Sequence, residues 1–120
     1  MIETTQCVIV SGRTLGDPRA THLLADAHAL GWTQLTRLEC QDLYFVQGDL
    51  SASDLRQLAA ELLSDPITQA WRVREERLEA NVIERVLRPG VTDPVAAQIV
   101  RGAHELGITA VERAATGQRF

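Results

Sequence analysis

Asp93-Pro94-Val95-Ala96-Ala97-Gln98-Ile99-Val100-Arg101-Gly102-Ala103-His104-Glu105-Leu106-Gly107 is the second appearance of one pattern in this chain. The first is Asp17-Pro18-Arg19-Ala20-Thr21-His22-Leu23-Leu24-Ala25-Asp26-Ala27-His28-Ala29-Leu30-Gly31. Aligned without a gap, Asp17, Pro18, Ala20, Ala27, His28, Leu30, Gly31, Thr33 and Arg37 fall on Asp93, Pro94, Ala96, Ala103, His104, Leu106, Gly107, Thr109 and Arg113. The apolar Leu23, Leu24 and Trp32 meet Ile99, Val100 and Ile108. Asp before Pro is a helix start: the carboxylate can cap the first turn, and proline is pre-shaped for the first helical position. Ala20, Leu23, Leu24, Ala27 and Leu30 recur at helical spacing and make one apolar stripe. Gly31 and Gly107 stand where a helix end wants a left-handed residue. Each copy thus reads as a capped amphipathic helix followed by a strand, with Leu24, Leu30, Val100 and Leu106 expected in the core. An internal repeat decides the fold, because a duplicated unit usually packs against its own copy.

Outward from the repeat, Gln6–Ser11 is a β-branched run ending at Gly12 and reads as a strand. Residues 34–47 read as one long bent strand, or as a hairpin turning near Gln41-Asp42. Ser51 and Asp54 resemble a capping pair ahead of a second helix with Leu55, Leu58, Ala59, Leu62 and Leu63 on one face, stopped by Asp65-Pro66. Ile67–Arg74 is the next strand, with Trp71 and Val73 on one side. A charged passage over 75–79 follows as a strand extension or linker. Asn81–Leu87 opens the second copy as a strand, Pro89-Gly90 turns the chain, and Ile108–Ala115 is the last strand. The order predicts an α+β fold: two ferredoxin-like units, 1–78 and 79–120, with a largely antiparallel sheet and helices on one face. The second unit reaches only Phe120, the position aligned with Tyr44, so it is expected to be truncated. It is either a half-unit completed by the first or the front piece of something longer.

Composition narrows the function. An apolar fraction of 45 % and a charged fraction of 23 % fit a soluble globular domain. A net charge of −4 argues against a nucleic-acid binder, which would carry a basic face. The twelve basic residues are all Arg, which excludes a phosphate-loop or Schiff-base lysine. No apolar run approaches the length of a membrane span and the N-terminus lacks a signal-like apolar core, so the expected compartment is the cytoplasm. Cys7 and Cys40 sit in strand-like segments and read as buried free thiols.

Few residues invite chemistry. His28 and His104 hold equivalent helix positions beside the stripe; a metal or catalytic site built from both would need their helices to face each other. His22 and His28, six apart, share a helix face poorly. Cys40 lies beside Glu39, which disfavours a thiolate. Asp17 and Asp93 are explained as caps. Arg85 and Arg88 could hold an anion near the helix opened by Asp93, or simply line a solvated strand edge. No glycine-rich phosphate loop occurs. Catalytic and metal residues are therefore assigned to none, and no cofactor is expected.

Val86-Leu87-Arg88-Pro89-Gly90-Val91-Thr92-Asp93-Pro94-Val95-Ala96-Ala97-Gln98-Ile99 resembles the small accessory subunit of phosphoribosylformylglycinamidine synthase, the PurS type. That family opens with a strand, a basic-Pro-Gly-Val-x-Asp-Pro turn and a helix ending in Leu-Gly. Thr116-Gly117-Gln118-Arg119-Phe120 is similar to its closing strand motif, and Leu62-Leu63-Ser64-Asp65-Pro66-Ile67 to the segment before its final strand. The first copy keeps Asp17-Pro18 and Leu30-Gly31 but has Gly12-Arg13-Thr14-Leu15-Gly16 in place of the Pro-Gly turn. A tandem pair of such units looks like the N-terminal domain of the large fused enzyme. The resemblance implies a non-catalytic part of an ATP- and glutamine-dependent ligase of purine synthesis. The truncated second unit, with its sheet face and edge uncovered, is expected to pair with its equivalent in a homodimer, and the resemblance further implies a part that bridges the glutaminase and synthetase components and helps shield the ammonia path between them. It points to Arg88, Pro89, Asp93, Pro94, Gln118 and Arg119 as partner-facing residues. Two alternatives stay open: a free-standing regulatory domain binding a small ligand between its two units, and a small enzyme using His28 and His104.

Overall fold

The computed structural model describes residues 5–13, 17–74, 82–88 and 91–120. Five strands form one antiparallel sheet: β1 (Thr5–Gly12), β2 (Gln41–Gly48), β3 (Gln69–Val73), β4 (Glu84–Val86) and β5 (Val111–Arg119). Their spatial order is β3-β1-β2-β5-β4. Three helices complete the fold: α1 (Pro18–Ala29), α2 (Ala52–Leu58), which runs on as a π-helical turn over Ala59–Leu63, and α3 (Pro94–Glu105). The turn at Pro89-Gly90, the charged passage over 75–79 and part of the turn after Gly12 lie outside the described residues.

Strand alternation divides the core. Val8, Val10 and Val46 point to one face, under Leu55, Leu58, Ala59 and Leu63 of the α2 segment and Ile99 and Ala103 of α3. Cys7, Ile9 and Leu43 point to the other face, with Phe45 packed against them. The centre of β1 is buried on both sides, which is why it reads as an unbroken apolar run. Ser51 caps α2 by accepting the Asp54 N–H at 3.0 Å, as its sequence suggests. Trp71 and Val73 of β3 share the helix-covered face. Gly102 lets α3 approach the π turn: a Cβ there would lie 2.9 Å from Leu62 Cδ1.

α1 and α3 are built alike. Pro18 and Pro94 open them, and Asp17 and Asp93 cap them. Gly31 (φ +99°) and Gly107 (φ +87°) end them in the left-handed region. In both, the following residue bonds back to the last turn, Trp32 N–H to the Ala27 carbonyl and Ile108 N–H to the Ala103 carbonyl, each at 2.9 Å, which closes the helix end in the same motif.

Their burial differs. α3 buries Ala96, Ile99 and Ala103, whereas α1 buries only Ala20. Leu30 is 80 % exposed, so the expectation that it lies in the core is overturned; Leu106, at 37 %, also stands outside it. Val100 packs at the core margin and Leu24 is half-buried. The long strand expected over 34–47 begins only at Gln41. Residues 111–116, aligned with 35–40, join the ladder because β2 lies beside them, Gln47 opposite Arg113 and Tyr44 opposite Thr116. Among the described residues, 35–40 have no such neighbour and stay irregular. α1 and the return segment 30–40 form an arm off the sheet.

Candidate functional site

β2 and β5 meet with Asp42 opposite Gln118. Arg85 of β4 stands opposite Gln118 on its other side. Together with Tyr44, Thr116 and Val95 these residues line a groove of about 440 Å³. The Arg85 guanidinium donates to the Gln118 side-chain oxygen and lies 5.4 Å from the Phe120 ring centroid. Gly117 lets β4 lie close against β5, since a Cβ there would stand 2.8 Å from the Arg85 carbonyl oxygen.

Asp93 is tied down from two directions. Its Oδ1 accepts the Ala96 N–H at 3.0 Å, and its Oδ2 accepts both the N–H and the hydroxyl of Thr116, at 3.0 and 2.8 Å. Burial works to raise its pKa, but these donors outweigh it and hold the carboxyl below its ordinary value. Asp17 solves the same task differently, because Cys40 stands where Thr116 would. It accepts the Arg19 N–H at 2.9 Å and the Arg19 guanidinium at 2.8 Å, and that side-chain bond is the chief reason its pKa is lowered. Arg19 also reaches Asp42 at 2.8 Å, fastening the start of α1 to β2.

Of the sequence-predicted partner residues, Gln118 lines the groove, Asp93 holds the groove's Thr116, Pro94 is exposed at the start of α3, Arg88 is exposed and Pro89 lies outside the described residues. Arg119 is only 6 % exposed, opposite Gln41 and Glu84, which makes it a structural residue rather than a surface one. Arg19, Asp42 and Arg85 complete the ionic framework. The repeat alignment already placed Asp42 on Gln118, and that was the available signal.

Each of the two histidines clasps its helix to a carbonyl of the segment that follows, irregular after α1 and the first residue of β5 after α3. His28 Nε2 meets the Leu35 carbonyl at 2.6 Å and His104 Nε2 meets the Val111 carbonyl at 2.8 Å. A carbonyl only accepts, so Nε2 carries the proton in both. Cys7 and Cys40 are buried and free, and burial is the first cause raising each thiol pKa. Burial, then Asp42, raises Tyr44 likewise. Each of these shifts deepens the group's resting state at neutral pH. Among the described residues, no three of His, Cys, Asp and Glu gather as a metal site would require.

An antiparallel sheet covered by helices in this order defines a ferredoxin-like α+β fold of the PurS kind. Among solved structures the chain is similar to Methanocaldococcus jannaschii PurS, one of the subunits of formylglycinamide ribonucleotide amidotransferase in the purine biosynthetic pathway. The TM-score is 0.51 at 12 % identity, over 65 % of this chain and 100 % of that one. At that identity the likeness is one of fold. No family model matches the sequence, and no curated protein matches it.

Proposed function

We propose that this chain is a non-catalytic accessory domain of phosphoribosylformylglycinamidine synthase, made of two PurS-like units, 1–78 and 79–120, the second incomplete. The observation that carries it is the PurS likeness, in which an entire PurS chain corresponds to 65 % of these residues. The β2–β5 junction supports the tandem units. Asp42 and Gln118 are opposite each other in the ladder and also aligned with each other in the repeat, so an approximate two-fold axis passes between them. The first strands deviate by one residue. Val8 stands opposite Tyr44, whereas Ile83, rather than Glu84, exchanges hydrogen bonds with Phe120, at 3.0 and 2.8 Å. The connection through Pro89-Gly90 is longer by that residue.

The domain works in the cytoplasm as a dimer and bridges the glutaminase and synthetase components. Among the described residues no helix is long and apolar enough to cross a membrane. Co-purification with glutaminase and synthetase polypeptides, followed by an assay of glutamine-dependent amidine formation, tests this. Binding with a gain in activity is expected; neither binding nor gain overturns it. The groove at Asp42, Arg85 and Gln118 favours one second reading, a regulatory domain whose small ligand sits at the unit junction. A thermal shift selective for an amino acid or nucleotide, abolished by Arg85→Ala, would favour that reading instead.

A further inference from the structure

We infer that the groove lined by the return segment of the α1 arm and by Ile83 and Phe120 binds a small oxyanion, a phosphate or carboxylate, carried on a flat apolar ring. This goes beyond the accessory role and does not depend on it. Ladder register places the groove on the sheet. Arg72 stands opposite Ile9, Ile9 opposite Leu43, and Leu43 opposite Gly117. Paired residues share a face, so all four lie on the side turned away from α2 and α3, and Arg119, two residues past Gly117, lies there too. The groove at Asp42 and Gln118 is on the opposite side. The present groove has a volume of about 970 Å³, and Trp32, Ile83, Phe120 and Arg72 bring three separate stretches of chain to its lining. Concave sites for small ligands fall at about 300–1,000 Å³. Part of the lining is fixed in place: Ile83 and Phe120 exchange backbone hydrogen bonds at 3.0 and 2.8 Å, and the Arg85 guanidinium packs 5.4 Å from the Phe120 ring centroid.

Charge names the sign of the ligand. Among the described residues, Arg37, Arg72 and Arg119 line the groove against one carboxylate, Glu39, which bonds to Arg37. The chain as a whole carries −4, so an acidic protein gathers three guanidiniums around one cavity and focuses its positive potential there. Arg119 is only 6 % exposed. Taking a charge that far from water is costly, and an oxyanion in the groove offsets part of the cost. The planar guanidinium fork matches the two oxygens of a carboxylate or phosphate. The remaining lining says what the oxyanion is attached to. Trp32 and Ile83 are 69 and 71 % exposed, and Phe120 is half-buried. In the second copy the residue aligned with Trp32 is Ile108, a core side chain 2 % exposed; in the first an indole stands at the wall of a cavity. A flat ring stacks on that indole while its anionic group reaches the guanidiniums. Inorganic phosphate would leave the apolar wall in water, and a neutral ring would gain nothing from the charge.

Calorimetric titration of the full chain with naphthyl phosphate, naphthoate, naphthol and inorganic phosphate tests this. Saturable binding of at least one naphthyl anion is expected, and the tighter of the two tells a phosphate site from a carboxylate site. Naphthol and inorganic phosphate are each expected to bind about tenfold more weakly or worse. Arg72→Gln and Trp32→Ala change exposed side chains. Each is expected to raise the dissociation constant about tenfold while leaving the unfolding midpoint unchanged. Arg72→Lys, which keeps the charge and loses the fork, is expected to fall between wild type and Arg72→Gln. Absence of saturable binding by both naphthyl anions overturns the site. Naphthol binding as tightly as the anions reduces it to an apolar surface and overturns it as well. Binding indifferent to both Arg72→Gln and Trp32→Ala places the ligand elsewhere. A short oligoglutamate that binds where the naphthyl anions do not would make the occupant an acidic polypeptide and overturn the small-ligand assignment.

Discussion

α1 and α3 share a capping acid, an opening proline, a left-handed closing glycine and a histidine clasped to a carbonyl of the segment that follows. One is a core helix; the other lies largely in solvent. Local sequence therefore sets the shape of this helix and where it starts and stops, but not its burial. What buries α3 is the chain around it: β2 beside the first half of β5, and the α2–π segment across its face. Those elements serve one arm. The helix also adapts to its cover, since Gly102 receives Leu62 while the aligned Asp26 keeps a charge in water. Half of a repeat can thus hold a conformation that its own tertiary contacts do little to stabilise.

The largest test of that contrast is a pair of aligned truncations. Ile99, at 5 % exposure, sits in the main core cluster, and Ile99→Ala is expected to cost about 2–5 kcal/mol in chemical denaturation. Leu23, at 37 %, is expected to cost less than about 1 kcal/mol on truncation to Ala in dilute protein. Equal costs would mean that α1 is packed against the body after all.

The capping acids differ next. Asp93→Ala removes three accepted hydrogen bonds in a half-buried site and is expected to cost about 1–2 kcal/mol. Asp17→Ala loses mainly exposed contacts with Arg19 and is expected to cost about 0.5–1 kcal/mol. The pH dependence follows from the direction of the shift. A carboxyl held below its ordinary 3.8 in the folded chain contributes stability that is complete above that value and is lost as pH falls through the lower, folded value. Urea midpoints of wild type should decline through that acid range, and Asp93→Ala should flatten the decline. An unchanged slope in the variant would show that other carboxylates carry it.

Much of this was legible in the sequence because it rests on near-neighbour chemistry. The caps at Asp17, Asp93 and Ser51, the closing glycines, the antiparallel α+β plan and the free buried cysteines all follow from residues a few positions apart. Periodicity names a stripe without saying what lies across from it, so Leu30 reads like a core residue and stands 80 % exposed. Segment 34–40 has strand-like composition, but a strand needs a neighbour, and the ladder starts only at Gln41. The clasps are non-local in the same sense, since a histidine's carbonyl partner seven residues on depends on how the chain returns over the helix. Of the residues that the resemblance points to, Arg119 lies buried between two flanking strands, a position that a motif match along the chain does not reveal.

The clasps offer a smaller contrast. His104 bonds to the carbonyl of Val111, a residue 1 % exposed, so His104→Ala strands a buried acceptor and is expected to cost about 1–2 kcal/mol. The Leu35 carbonyl belongs to a residue 39 % exposed, where water can replace the ring, and His28→Ala is expected to cost under about 0.5 kcal/mol. Matching losses would place both clasps in equally dry surroundings.

The smallest expected effect is the most discriminating. Leu30→Ala removes a large apolar side chain from a helix end where it is 80 % exposed, so almost no buried surface is lost in the monomer. Its unfolding free energy at low concentration should stay within about 0.5 kcal/mol of wild type, as for surface substitutions generally. A loss of full core size in dilute protein would show that the arm folds back onto the body.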